Sequence, residues 1–166
     1  MKKLTIVFGM VACIALAGSQ VPFKGSLNGA TVPPTTPGLE RIEVSGKATE
    51  LGKFDAVIET DLTQIVIIGF DPVAGLPIAT LPGTIAFTAA NGDEVNGEGD
   101  LTGLLNPVDG NFPSFTFDIT ITDGSGRFDG ATGSFTGSGG QTTVPGEDND
   151  LITATFKGTI SSVGSK

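Results

Sequence analysis

The sequence predicts an all-β protein, a single eight-stranded antiparallel β-barrel whose strands follow one another in meander order. Three observations predict this fold. Apolar and polar residues alternate along most of the chain, as they do in half-buried strands. Glycine supplies 25 of the 166 residues, and turn-forming residues separate the alternating segments. After residue 17, no segment shows the period of about 3.6 residues that marks an amphipathic helix.

Residues 1–17 are predicted to be a cleaved signal peptide, with cleavage at about residues 17–20. Lys2 and Lys3 give the segment a positive start and an uncharged, mostly apolar run follows. Ala15 and Ala17 then supply the small-x-small pattern that signal peptidases recognise. The apolar run is shorter than the ~20 residues that a membrane-spanning helix needs. We therefore expect a mature protein that is secreted or periplasmic and has no membrane span.

Cys13 is the only cysteine and a potential site of lipid attachment. A bacterial lipoprotein is cleaved directly before a cysteine that is then lipidated. Here the apolar run continues past Cys13, and Met10 fits poorly at its position in such a cleavage site, so we expect no lipid anchor. Cleavage after Ala17 leaves a chain without cysteine and without a disulfide, whose stability must come from its core.

Composition and charge exclude several functions. Without Lys2 and Lys3, 7 basic residues remain against 18 acidic ones, a net charge of −11. Nucleic acids and anionic membranes bind basic surfaces, so neither is expected as a partner. Histidine, tryptophan and tyrosine are absent, which excludes Ser-His-Asp and Cys-His catalysis and His-based zinc sites. The acidic segment 146–150 could hold Ca²⁺, but it lacks the spacing of a calcium loop. We predict no catalytic residue, no metal site and no cofactor.

The first part of the mature chain, residues 18–40, is predicted to hold a first strand at 22–29 and a linker at 31–38. Three prolines in the linker remove backbone donors and force extended geometry on the residues before them. Residues 41–166 form the remainder of the same barrel domain, which spans about residues 22–162.

The later strands are predicted from the alternation of apolar and polar residues. They lie at residues 41–49, 54–59, 84–89, 94–101, 114–122, 131–139 and 152–160. The apolar run 65–68 either prolongs the third strand or begins an edge segment, and a loop is expected from 71 to 82. Asn91 and Gly92 stand between two alternating strands, which predicts a two-residue hairpin turn with positive φ at both residues.

Eight antiparallel strands with one apolar face each either close into a barrel or stack as a sandwich. The inward positions mix phenylalanine and isoleucine with many glycines and alanines. This mixture favours the barrel, since large side chains from one strand then fill the space left by small residues of another.

The segment 123–133 reads Asp-Gly-Ser-Gly-Arg-Phe-Asp-Gly-Ala-Thr-Gly. It resembles the Gly-Thr-Gly-Arg-Phe-x-Gly-Ala-x-Gly signature of secreted bacterial proteins related to the allene oxide cyclase and dirigent barrels. Segments 22–27, 87–93 and 156–162 resemble the same group. The resemblance implies an eight-stranded barrel whose lumen, in the plant relatives, holds an oily substrate or a phenolic, radical-derived intermediate.

The signature residues have a structural interpretation. Gly124 and Gly126 provide a tight turn with positive φ, and Gly130 and Ala131 let the chain re-enter the sheet closely. Phe128 plugs one barrel end, and Arg127 pairs with a carboxylate or with loop carbonyls. This structural motif comprises Gly124, Gly126, Arg127, Phe128, Gly130, Ala131 and Gly133. In the allene oxide cyclases that this chain resembles, a glutamate and a bound water inside the barrel position the substrate. In this chain the acids of the predicted strands fall on or beside the outward phase. The resemblance is therefore taken to imply the same fold but not the same reaction. These acids are Glu43, Asp55, Glu59, Asp118 and Asp123.

Two functions remain open. The leading hypothesis is a non-enzymatic, exported barrel that binds a small hydrophobic molecule or serves as a surface or matrix component, with a homo-oligomer as a further possibility. The alternative is an isomerase, cyclase or dirigent-like protein that shapes a reactive apolar intermediate. A lumen filled by Phe115, Phe117, Phe135 and Phe156 would leave room for neither ligand nor substrate. An open lumen with one inward acid would favour the enzyme, and a purely apolar open lumen would favour binding without catalysis.

Overall fold

A computed structural model describes residues 19–33 and 36–161. The predicted signal peptide and Cys13 lie outside these residues. Nine strands and two short 3-10 turns, at Leu62–Gln64 and Gly126–Phe128, make up the fold. The strands are β1 (Gln20–Val32), β2 (Leu39–Ala48), β3 (Gly52–Asp61), β4 (Val66–Asp71), β5 (Leu76–Ala89), β6 (Glu94–Leu104), β7 (Ser114–Gly124), β8 (Gly133–Thr143) and β9 (Asp150–Ser161). Among the described residues, no helix is long and apolar enough to cross a membrane.

Eight of the strands close into a barrel. The sheet runs β3-β2-β1-β9-β8-β7-β6-β5-β4, and an additional pairing of β3 with β5 joins its two sides. Every neighbouring pair is antiparallel. The eight-stranded antiparallel barrel predicted from the sequence is therefore confirmed, and β4 is an extra strand attached to one side of β5.

The prediction of a loop from 71 to 82 is wrong, because β5 already begins at Leu76. Its first half pairs with β4 as far as Thr80, and its second half pairs with β3 from Gly83 onward. Pro82 lies between these two stretches, where the edge of β5 that faces β4 and β3 has no partner. The N–H that Pro82 lacks therefore leaves no gap in the hydrogen bonding along that edge. The apolar run 65–68 was expected either to prolong the third strand or to begin an edge segment. In the structure it begins the edge strand β4.

Two further boundaries differ from the prediction. β1 continues to Val32, which pairs with Arg41, so the linker is shorter than the proline content suggested. The β5–β6 hairpin has a three-residue loop in which the N–H of Gly92 donates to the carbonyl of Ala89 at 2.8 Å. Gly92 has φ 87°, while Asn91 does not adopt positive φ. This is a type I turn followed by a left-handed glycine, and the predicted two-residue turn is wrong.

Five phenylalanine rings fill one half of the lumen, with centroids of neighbouring rings 5.0–6.4 Å apart. This phenylalanine cluster consists of Phe23, Phe54, Phe87, Phe135 and Phe156. Glycines on adjacent strands make room for the rings: Gly25 and Gly137 both pair with Phe156. The mixture of large and small inward residues thus allows five rings to fit inside the closed barrel. We call the end capped by Leu51, Val95 and Phe128 the motif end and the opposite end, with Glu40, the acid end.

Candidate functional site at the acid end of the lumen

A small cavity lies in the half of the lumen that the phenylalanine cluster leaves free. Its volume is about 60 Å³, and a single water occupies about 10–15 Å³ of such space. The cavity therefore has room for a few waters or for one end of a small molecule. Its walls are mostly apolar and include Ile42, Leu81, Ile85, Phe115, Phe117, Ile119 and Ile152, and the polar side chains that face it are Glu40, Thr60 and Gln141.

Glu40 faces this cavity because it shares the inward phase of β2 with Ile42 and Val44. The side-chain amide of Gln141 donates to its Oε1 at 3.3 Å, and the hydroxyl of Thr60 donates to its Oε2 at 3.4 Å. Burial raises the pKa of the Glu40 carboxyl, the two hydrogen bonds oppose this effect, and the nearby charge of Asp150 adds to it.

Gln141 holds the acid end together. Its side-chain Oε1 accepts a hydrogen bond from the backbone N–H of Phe112 at 3.0 Å. Its backbone N–H donates to the carbonyl of Phe112, also at 3.0 Å. The bond to Oε1 fixes the side-chain amide so that its Nε2 points at carboxylates, and Nε2 also donates to Asp150 Oδ2 at 3.0 Å. One buried amide thus bridges Glu40 and Asp150 and joins β8 to the segment before β7.

The sequence reasoning missed Glu40 and Gln141 because the predicted strands ended one or two residues short of them. The signal was present in both cases. Extending the inward phase of Ile42 and Val44 by two residues reaches Glu40, and extending that of Phe135 through 137 and 139 reaches Gln141. The acids considered in its place lie on the outer surface, where Glu59 pairs with Arg41 at 3.1 Å.

The predicted structural motif lies at the motif end, away from the cavity. Arg127 Nε contacts Asp93 Oδ2 at 2.6 Å, and its Nη2 donates to the carbonyl of Glu50 at 3.0 Å. The Arg127 hydrogen bond, together with one from Asn91, lowers the pKa of the Asp93 carboxyl. Arg127 therefore ties the 3-10 turn after β7 to the β2–β3 and β5–β6 turns.

The remaining motif residues shape the chain around this contact. Phe128 and Ala131 are buried. Gly126, Gly130 and Gly133 have φ of 62°, 71° and 149°, whereas Gly124, expected to need positive φ, does not have it. Gly124 is required for space, since a Cβ there would lie 2.7 Å from the carbonyl oxygen of Glu94.

A pH-dependent stability follows from the raised pKa of Glu40. The ordinary pKa of this carboxyl is 4.5. The protonated carboxyl therefore contributes fully to the stability of the fold below pH 4.5, and this contribution is lost as the pH rises through the folded-state pKa. Glu40→Gln cannot ionise, and we expect it to melt at a higher temperature than the unsubstituted protein at pH 7, with the difference shrinking below pH 4.5. Thermal unfolding followed by far-UV circular dichroism at several pH values measures this.

Asp93→Asn is the matched control for this experiment, because the pKa of Asp93 is lowered rather than raised. Its stabilising contribution is present at neutral pH and disappears as the solution becomes acidic. Asp93→Asn should therefore melt below the unsubstituted protein at pH 7, the opposite sign to Glu40→Gln. A Glu40→Gln variant that is less stable at pH 7 would contradict the assignment of Glu40 as a carboxyl whose ionisation opposes folding.

The fold and the site together define an antiparallel eight-stranded barrel, filled by phenylalanines at one end and holding an inward glutamate at the other. This barrel is the fold that the resemblance to allene oxide cyclase and dirigent barrels implies. No protein-family model matches the chain, and no curated protein matches it in sequence. Among solved structures, the pterocarpan synthase dirigent protein GePTS1 matches with a TM-score of 0.45 and 10% identity, over 92% of this chain and 90% of that one. A likeness this distant says nothing about a ligand or a reaction.

Proposed function

We propose that this protein is an exported, non-enzymatic barrel that binds a small, largely apolar molecule bearing a hydroxyl group. One end of the ligand enters the cavity at the acid end, and its hydroxyl donates to Glu40. The observation that carries this proposal is a carboxyl group facing an otherwise mostly apolar cavity. Ligand sites commonly combine apolar walls with a few polar groups that fix orientation.

The hydrogen bonding of Glu40 supports a ligand that donates. A carboxylate has about four acceptor positions, and the two donors on Glu40 lie at the long distances of 3.3 and 3.4 Å. A partly buried carboxylate is stabilised by further donors, because water is excluded from part of its surface. A hydroxyl on a ligand provides such a donor without adding charge.

The size of the cavity supports a small ligand. The phenylalanine cluster fills the motif half of the lumen, and about 60 Å³ remains beside Glu40. The aromatic side chains of Phe112, Phe115 and Phe117 line this space, which suits the edge or face of a single ring. A simple phenol matches both the walls and the carboxylate better than a long acyl chain.

Binding of p-cresol compared with toluene tests this proposal, since the two differ by one hydroxyl. We expect p-cresol to bind at least tenfold more tightly, since a hydrogen bond to a charged group contributes about 1.5–3 kcal/mol. Glu40→Leu should abolish the difference, while Asp93→Asn at the motif end should keep it. NMR titration of the inward methyl and phenylalanine signals measures both affinities.

Two results would overturn the proposal. One is the absence of binding by either compound, which would favour a purely structural surface or matrix component. The other is a Glu40→Leu variant that still prefers p-cresol, which would place the hydroxyl elsewhere.

An isomerase or cyclase is the second candidate. An inward acid beside an open part of the lumen is the feature expected of the enzyme, and Glu40 provides one, with a pKa that burial raises. A carboxyl group whose pKa lies closer to neutrality exchanges protons more readily with a bound substrate. The Glu40 side chain faces the cavity directly, so geometry permits this role. Structural carboxylates also have shifted pKa values, and the binding function therefore stands first.

A further inference from the structure

Strand β4 exposes apolar side chains on both of its faces. Val66, Ile67, Ile68 and Phe70 are 55–61% exposed. Among the described residues, six of the eight large apolar side chains that are exposed belong to this strand or its flanks. They are Leu62, Val66, Ile67, Ile68, Phe70 and Val73. Contiguous exposed apolar surface of this kind marks an interaction site.

The backbone of β4 is also available on one side. The strand pairs only with β5, and no described strand lies along its other edge. Natural edge strands are usually protected by lysine, proline, inward charges or a β-bulge. Lysine, proline and charged residues are absent between Asp61 and Asp71, and of these devices β4 has only the bulge. A bulge leaves Ile68 without a partner on β5, since Ile67 pairs with Ala79 and Gly69 with Ile78.

We propose that β4 is the interface for a second copy of this chain, with the two β4 edges paired antiparallel about a two-fold axis at Ile68. In this register Ile68 faces Ile68 of the second copy and Ile67 faces Gly69. Val66 faces Phe70. Every directly opposed pair between residues 66 and 70 is apolar, and the large Ile67 side chain lies against a glycine.

The distribution of charge lets a second copy approach at this patch. The whole chain has a net charge of −9, so two copies repel each other over most of their surfaces. The segment from Leu62 to Phe70 has no charged residue. The proposed register also places Asp71 opposite Ile65 rather than opposite another carboxylate. A two-fold contact uses the same patch on both copies, and this patch is complementary to itself.

Disulfide trapping tests the interface and its register. In a Cys13→Ser background, Ile68→Cys places two thiols directly opposite each other. Opposed Cβ atoms of an antiparallel pair lie about 4.5–5.5 Å apart, close to the ~3.5–4.5 Å that a disulfide needs. Ile67→Cys is the register control, because it faces Gly69 of the second copy. Val108→Cys is the exposure control, since Val108 is 92% exposed on a different loop. Mild oxidation followed by non-reducing electrophoresis measures the covalent dimer.

We expect Ile68→Cys to form a covalent dimer at least tenfold faster than either control. Native mass spectrometry of the unsubstituted chain should show a dimer that Ile67→Lys converts to a monomer and Val108→Lys does not. Equal cross-linking of the three cysteine variants would overturn the register. A monomer at every concentration, or a dimer that Ile67→Lys leaves intact, would overturn the interface, whatever ligand the barrel binds.

Discussion

Replacing Phe87 with alanine should lower the free energy of unfolding by about 3–5 kcal/mol, the range for a buried phenylalanine. Phe87 has no exposed surface. Its ring centroid lies 5.0 Å from that of Phe54 and 5.8–5.9 Å from those of Phe23, Phe135 and Phe156. Truncation removes contacts with all four rings at once and leaves a cavity that the closed barrel cannot easily collapse.

Urea unfolding followed by far-UV circular dichroism measures this loss, because the chain lacks tryptophan and tyrosine for fluorescence. Phe87→Leu retains part of the volume and should lose less, which keeps the comparison possible if the alanine variant does not fold. Val108→Ala is the control, since Val108 is 92% exposed and such a change alters stability by about 0.5 kcal/mol or less. Equal stability of Phe87→Ala and Val108→Ala would show that the cluster is not the stabilising core.

The barrel was predictable because the alternation of residues is a local property that directly reports burial. Ile42 and Val44, or Ile119 and Ile121, occupy the inward phase in the sequence and are buried in the structure. Closure was predictable for a related reason. Glycines placed among inward phenylalanines indicate a closed barrel, because the rings of one strand then occupy the space that glycines of the other strands leave in one narrow lumen.

The strand ends were less predictable because they depend on partners that are distant in sequence. Pro82 breaks a strand pattern locally, yet β5 accepts it because its neighbour changes from β4 to β3 at that point. Asn91 and Gly92 fit a two-residue turn by composition. The structure instead uses Asn91 to donate from Nδ2 to Asp93 Oδ2 at 2.7 Å, next to the contact between Asp93 and Arg127. Turn geometry here follows from tertiary contacts.

The candidate site was hidden for the same reason. Glu40 lies only two residues before an inward isoleucine, but its role depends on Gln141, which is 101 residues away in the chain. A glutamate at a strand end is ordinarily a solvated residue. Only closure of the barrel brings Thr60 and Gln141 to its two oxygens and places an apolar cavity beside it.

The position of the phenylalanine cluster restricts how the proposed ligand enters. The motif end is capped by Leu51, Val95 and Phe128, each 5% exposed or less. The Arg127 contacts with Asp93 and Glu50 hold the turns there together. Entry is therefore expected from the acid end, past Glu40, so the first polar group that a ligand meets is also the group that would orient it.

Substituting Gly158 with valine should destabilise the barrel even more than Phe87→Ala, although it adds apolar volume. Gly158 pairs with Phe23 on β1 and with Phe135 on β8, whose rings meet 5.4 Å apart. A Cβ at this position would lie 2.6 Å from the Cβ of Phe135 and closer still to the carbonyl oxygen of Ser134. The backbone of β8 cannot yield without opening its pairing with β9.

Gly158→Ala is the milder variant, and overpacking of about 1–3 kcal/mol is the minimum we expect from it. Gly69→Ala is the matched control, because a Cβ there would meet only Ile78, at an ordinary 3.6 Å, and replacing a strand glycine by alanine usually stabilises by about 0.5–1 kcal/mol. Since Gly69 lies in the proposed β4 interface, both variants are compared in the Ile67→Lys background. Urea unfolding of both variants gives the comparison. If Gly158→Ala proved as stable as Gly69→Ala, the glycines would not be what allows large rings to fill so narrow a barrel, and the small cavity beside Glu40 would need another explanation.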